Sequence, residues 1–146
     1  MAGVHFSFYD FHSLLLLNMG IAERLDENRK ESFTLLYCDF SGLSKEVITQ
    51  SLEQALRDSD SIVHYDEHYF FVLPYTDKYG AMIVKDMIEE FFDTQIPSSE
   101  VSYPVDGELP GELFETLHAQ VYSLHGMDLD FLDPDRMKKK VSDKRS

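Results

Sequence analysis

Residues 60–75, DSIVHYDEHYFFVLPY, decide the fold. Ile62 and Val63 open one β-rich run, and Tyr69, Phe70, Phe71, Val72 and Leu73 form a second. Asp66, Glu67 and His68 lie between them. Two such runs around a short polar break read as a β-hairpin. The second run is apolar almost without alternation, which predicts a central strand covered on both faces. The hairpin turn falls at the edge of the sheet, and any chemistry this fold hosts depends on that turn.

Upstream, Phe33–Phe40 reads FTLLYCDF, a buried strand with Asp39 near its end. Gly42 breaks the pattern and Ser44 is an N-cap. Glu46 and Val47 then open a helix to about Asp58, with Val47, Ile48, Leu52, Ala55 and Leu56 inward. Before that strand, residues 8–30 read as a helix whose face holds Phe11, Leu14, Leu15, Met19, Ala22 and Leu25. Leu16, Leu17 and Ile21 widen the apolar arc. Burial against the sheet explains them; docking on a partner or on a second copy of the chain is the sharper alternative.

Downstream, Thr76 or Asp77 caps a helix with Ala81, Val84, Ile88 and Phe91 on one side, and Met82 and Met87 are expected to fill the core. Glu100 to Tyr103 is a short strand, stopped by Pro104 and the Asp106-Gly107 turn. Pro110 suits the first turn of a last helix with Leu113, Phe114, Leu117, Val121 and Leu124 inward. The resulting order is helix, then β-α-β-β-α-β, then helix. It predicts an α+β fold of ferredoxin-like, nucleotide-cyclase-like layout: one antiparallel sheet with helices on one face. One domain covers residues 1–127, and 128–146 form an acidic linker and a mobile basic tail.

The chain has 146 residues and is 43% apolar and 13% aromatic, enough for a real core. Its net charge of −14 disfavours nucleic acid and anionic membranes. From Arg136 onward there are six Lys/Arg and one Asp, leaving 7 basic and 26 acidic residues before it. The Lys138-Lys139-Lys140 run reads as a solubilising end. One cysteine, Cys38, forms no internal disulfide and fits a reducing cytosol. The start lacks a basic n-region, and Leu14 to Leu17 is too short for a bilayer, so the expectation is a cytoplasmic protein.

Six histidines, His5, His12, His64, His68, His118 and His125, show no ligand spacing of the H-E-x-x-H kind, so no metal site is expected. Cys38, inside a strand, is a core residue without a base beside it. Tyr65, Tyr69, Phe70 and Phe71 resemble a nucleobase-stacking platform, but the acidic composition excludes that use.

The order of elements and their particular words resemble the GGDEF domain of diguanylate cyclases, which join two GTP molecules into cyclic di-GMP. The resemblance runs from the first helix to about His125. FTLLYCDF is similar to the family's first strand, which ends in a metal-binding aspartate, and Asp39 falls there. RDSDSIVHYDEHYFFVLP is similar to the stretch through the signature hairpin and the following strand. VSYPVDGELPGELFETLHAQVY is similar to the last strand, its P-x-D-G turn and the final helix.

Departures from that pattern imply a catalytically dead module. The signature turn Gly-Gly-Asp/Glu-Glu-Phe becomes Asp66-Glu67-His68-Tyr69-Phe70 if aligned from Arg57, or Tyr65-Asp66-Glu67-His68-Tyr69 if aligned from Pro74. Both glycines are lost in either register. Bare backbone that approaches phosphate is replaced by acidic side chains. Asp39 with Glu67 is the minimal pair left for a hard cation, and His68 is a poor substitute. Only Ser41 to Leu43 separate Phe40 from Ser44, so the substrate loop is missing. The family's D-x-L-T-G-L segment before the first strand is missing too. Two-metal phosphoryl transfer needs both positioning and charge neutralisation.

Arg57-Asp58-Ser59-Asp60 keeps an R-x-x-D with five residues between it and Asp66. In the family, that motif at that spacing is the product-inhibition site, and degenerate members that keep it act as cyclic di-GMP receptors. An Arg fork grips phosphate while Asp accepts from guanine N–H groups. The resemblance therefore implies a regulatory module that binds cyclic di-GMP at Arg57 and Asp60. A protein-interaction or dimerisation scaffold without nucleotide is the alternative. No cofactor is expected.

Overall fold

The computed structural model describes residues 2–25 and 30–133. In chain order the elements are β1 (Val4–Phe6), α1 (Phe11–Leu25), β2 (Glu31–Asp39), α2 (Lys45–Ala55), β3 (Ser61–Tyr65), β4 (His68–Pro74), α3 (Lys78–Phe92), β5 (Ser98–Pro104) and α4 (Pro110–His125). Short 3₁₀ turns occupy Phe8–Asp10 and Asp130–Leu132. The fold is α+β, around a five-stranded sheet of order β1-β3-β4-β2-β5.

β4 sits at the centre because its side chains are apolar on both faces. Phe70 and Val72 enter one core layer, with Phe11, Leu15, Phe114 and Leu117. Phe71 and Leu73 enter the other, with Ile48, Leu52, Ala81 and Ile88. The alternation of a pleated strand assigns neighbours to opposite layers. β2 does the same with Leu35 and Tyr37 against Leu36 and Cys38. Each such fully buried side chain contributes about 1.5–3 kcal/mol.

Two expectations about the sheet are corrected. Helices cover both faces, not one: α1 and α4 pack on the first layer, α2 and α3 on the second. The sheet is also mixed. β1 pairs parallel with β3, Val4 opposite Ser61, while the other three pairings are antiparallel. The first helix starts at Phe11, since residues 8–10 form a 3₁₀ turn.

Helix starts follow side-chain chemistry. Ser44 accepts from the Val47 amide at 3.3 Å, and Asp77 rather than Thr76 caps α3, accepting from the Gly80 amide at 2.8 Å. Such caps contribute about 1 kcal/mol each. Pro110 stands at the first turn of α4, and the Glu112 carboxylate accepts from the Glu108 and Leu109 amides.

Several side chains expected inside are outside. Leu16, Leu17, Ile21 and Leu25 of α1 are exposed, as are Val47, Met82, Met87, Phe91 and Leu124. A sheet of this width covers one stripe of each helix, and the flanks stay in solvent. The packed unit also runs past residue 127. Leu129 and Leu132 are buried in the layer of α1 and α4 and Phe131 packs against it, while Asp128 and Asp130 between them are exposed. The basic segment from Arg136 lies outside the described residues.

Candidate functional site

The hairpin turn is tight. Tyr65 pairs with His68, leaving Asp66 and Glu67 as its two loop residues. Asp66 has φ 52°, a left-handed conformation that glycine adopts freely and aspartate tolerates. Both acidic side chains are exposed. The Glu67 carbonyl accepts from the Phe40 amide at 2.9 Å, which ties the turn to the end of β2.

Asp39 stands opposite His68 in the β2–β4 ladder. Its Oδ1 accepts from the Ser41 amide at 3.0 Å and from the Ser41 hydroxyl at 2.5 Å. That short bend is the whole connection before Ser44, so it turns the carboxylate inward on its own loop. His68 is held elsewhere. Its Nδ1 is 2.7 Å from the Tyr37 hydroxyl, and its ring lies 5.2 Å from that of Phe131. Phe131 stacks on Tyr65 at 4.4 Å. Asp39, Glu67 and His68 thus meet at one corner, but each has a different task. Among the described residues no group of three His, Cys, Asp or Glu could hold a metal ion.

Burial pushes the Tyr37 hydroxyl well above its ordinary value, and the Asp39 charge adds to this. The proton stays on oxygen, so Tyr37 meets His68 Nδ1 as a neutral hydroxyl. Burial likewise pushes the Cys38 thiol up, with the Glu89 charge as the next cause. A fully buried, protonated thiol is inert, which fits a core role.

Arg57 and Asp60 are brought together, but to each other. Asp60 is 1% exposed and Arg57 51%. Asp60 Oδ1 accepts from Arg57 Nη2 at 2.8 Å, and Oδ2 accepts from the Arg57 backbone amide at 2.7 Å. Arg57 Nη2 also donates to the Pro74 carbonyl at 2.7 Å and to Thr76 Oγ1 at 2.9 Å. The motif therefore clamps the α2–β3 loop to the β4–α3 loop. Beside it opens a cavity of about 620 Å³, lined by Lys30, Glu31, Tyr75, Asp77 and Ile83 as well as the clamp. Its charges are of both signs.

The histidines scatter. His64 stacks on Tyr69 at 4.9 Å, His118 Nε2 meets Asp128 at 2.5 Å, and His125 Nε2 meets the Ser98 carbonyl at 2.9 Å. Tyr65, Tyr69, Phe70 and Phe71 do not form one platform, because alternate residues face opposite layers. Sequence reasoning missed Thr76, the Pro74 carbonyl and Phe131, which act through contacts far along the chain. No helix among the described residues is long and apolar enough to cross a membrane. No family model matches the chain, and no curated protein matches it.

Proposed function

We propose that the chain is a non-catalytic, GGDEF-like regulatory module of the cytoplasm that acts by binding, and that it binds protein rather than nucleotide. The observation that carries this reading is the closed clamp. A guanine-binding aspartate must present its oxygens to a ligand, whereas both oxygens of Asp60 are engaged by Arg57 beneath the surface. Opening that clamp exposes hydrogen bonds to a charged group, each contributing about 1.5–3 kcal/mol.

The layout supports the family reading. Without β1, the strands run β3-β4-β2-β5, with α2 and α3 on one face. A ferredoxin-like, nucleotide-cyclase-like core has that order. The hairpin corner supports the loss of turnover. On this reading Asp66 and Glu67 put two carboxylates where a triphosphate needs bare backbone, and Asp39 Oδ1 already accepts twice from Ser41.

Cyclic di-GMP binding is the second reading, favoured by the half-exposed Arg57 guanidinium at the 620 Å³ cavity. Calorimetry with cyclic di-GMP separates the two. No heat is expected from the wild type. Saturable heat that Arg57→Ala abolishes would replace protein binding with nucleotide sensing. Incubation with GTP and Mg²⁺ is expected to give no cyclic di-GMP, and measured turnover would overturn the non-catalytic reading.

A further inference from the structure

We infer that the groove between α1 and α4 is a docking site for a basic segment, and that its occupant is the chain's own Arg136-Met137-Lys138-Lys139-Lys140-Val141. The inference is independent of how the Arg57–Asp60 clamp is read.

The groove has a volume of about 900 Å³. Its apolar lining includes Leu16, which is 49% exposed, with Phe114 and Leu132 beneath. Four carboxylates, those of Glu112, Glu115, Asp130 and Asp133, line it as well. Among its described lining residues there is no Lys or Arg. A cleft lined by one sign of charge focuses its field on a counter-ion.

One feature of the groove argues the other way. Pro110 and Gly111, at the start of α4, also line it, and a helix start carries about half a positive charge. That end is answered within the chain, because the Glu112 carboxylate accepts from the Glu108 and Leu109 amides. With Glu115, Asp130 and Asp133 added, the lining is anionic and takes a cation. Two other cavities carry cations of their own, Lys30 and Arg57 in one and Lys85 in the other.

Position in the chain selects the occupant. Asp133, the last described residue, lines the groove, so the chain leaves from its rim. Residues 134–146 lie outside the described residues, and it is their sequence that complements the groove. From Arg136 there are six Lys/Arg and one Asp, against 7 basic and 26 acidic residues before it. Met137 and Val141 add apolar side chains to match the floor. At no more than about 3.5 Å per residue, Lys140 stays within about 25 Å of Asp133. Such a tether supplies an effective concentration of about 1 mM, so an intrinsic affinity of about 100 µM fills the groove about ten to one.

Trypsin digestion of the folded full chain tests this, with cleavage after Lys138, Lys139 or Lys140 read by mass spectrometry. A free peptide of sequence 134–146 is the reference at each salt concentration. In about 20 mM salt the chain's segment should be cut about tenfold more slowly than the peptide, since proteolysis tracks the undocked fraction. In about 0.5 M salt the difference should vanish, because screening weakens the attraction. Glu115→Lys, at an exposed position of the groove, should remove most of the protection at low salt. Glu53→Lys, exposed on α2 in the opposite layer, changes the net charge equally and should leave it intact. Cleavage as fast as that of the peptide at low salt overturns the inference. So does protection that Glu115→Lys leaves unchanged, or that both substitutions remove alike. Protection that rises with protein concentration would seat a second copy's segment in the groove and overturn it too.

Discussion

The Asp60 carboxylate accepts from the Arg57 guanidinium, Nη2 at 2.8 Å, and from the Arg57 backbone amide at 2.7 Å. A four-residue motif that in a receptor faces solvent is here a joint between loops. Each partner's loss should therefore appear as lost stability. Asp60→Ala strands the Arg57 amide, and Arg57→Ala leaves a buried carboxylate with that amide and no cation. Each is expected to cost about 1.5–3 kcal/mol in urea unfolding. The double variant should cost clearly less than the sum, because both remove one interaction. Full additivity would mean that the clamp carries no coupling.

The hairpin gives the second prediction. Asp66 adopts φ 52°, where a Cβ is strained. Asp66→Gly is expected to change stability by less than about 1 kcal/mol in either direction: relief of strain opposes the greater chain entropy of unfolded glycine. Asp66→Gly with Glu67→Gly gives the turn the two glycines that the proposed GGDEF-like reading asks of an active member, without the substrate loop which that reading also requires. The double variant should form no cyclic di-GMP from GTP and Mg²⁺. Product in that assay would show that the turn alone silenced catalysis.

Leu132 is 1% exposed, packed with α1 and α4 beyond the last helix. Leu132→Ala is expected to cost about 2–5 kcal/mol through lost burial and the cavity left behind. Leu129→Ala should behave similarly. A loss below about 0.5 kcal/mol, the scale of ordinary surface substitutions, would mean that the segment does not belong to the core.

The central strand was legible because Tyr69 to Leu73 are apolar without alternation, and only a strand buried on both faces tolerates that. Ser44 and Pro110 were legible because caps are local chemistry. β1 was not, since Val4, His5 and Phe6 are too few to show a period and their partner strand begins at Ser61. The exposure of Leu17, Ile21 and Met87 was hidden for another reason. Hydrophobicity marks what can be buried, and the width of the sheet decides what is. In the candidate site, Arg57 and Asp60 were found as letters, but Pro74 and Thr76 complete the clamp from 17 and 19 residues away.

Glu100 on β5 offers a pH test. Burial pushes its carboxyl above the ordinary 4.5, although the Lys85 and Lys78 charges pull it down. The folded chain therefore holds this proton to higher pH than the unfolded chain does. Between the two values the folded state binds more protons, so this group's contribution to stability falls as pH rises through that window. Below the unfolded value both states are protonated and the penalty vanishes. Glu100→Gln keeps the shape and removes the charge. The variant is expected to be more stable than wild type at about pH 7, with the difference shrinking toward zero at about pH 4. Urea midpoints across that range measure it. A variant less stable at neutral pH would mean that attraction to Lys85 and Lys78 outweighs the loss of hydration, and that Glu100 is held there as an ion.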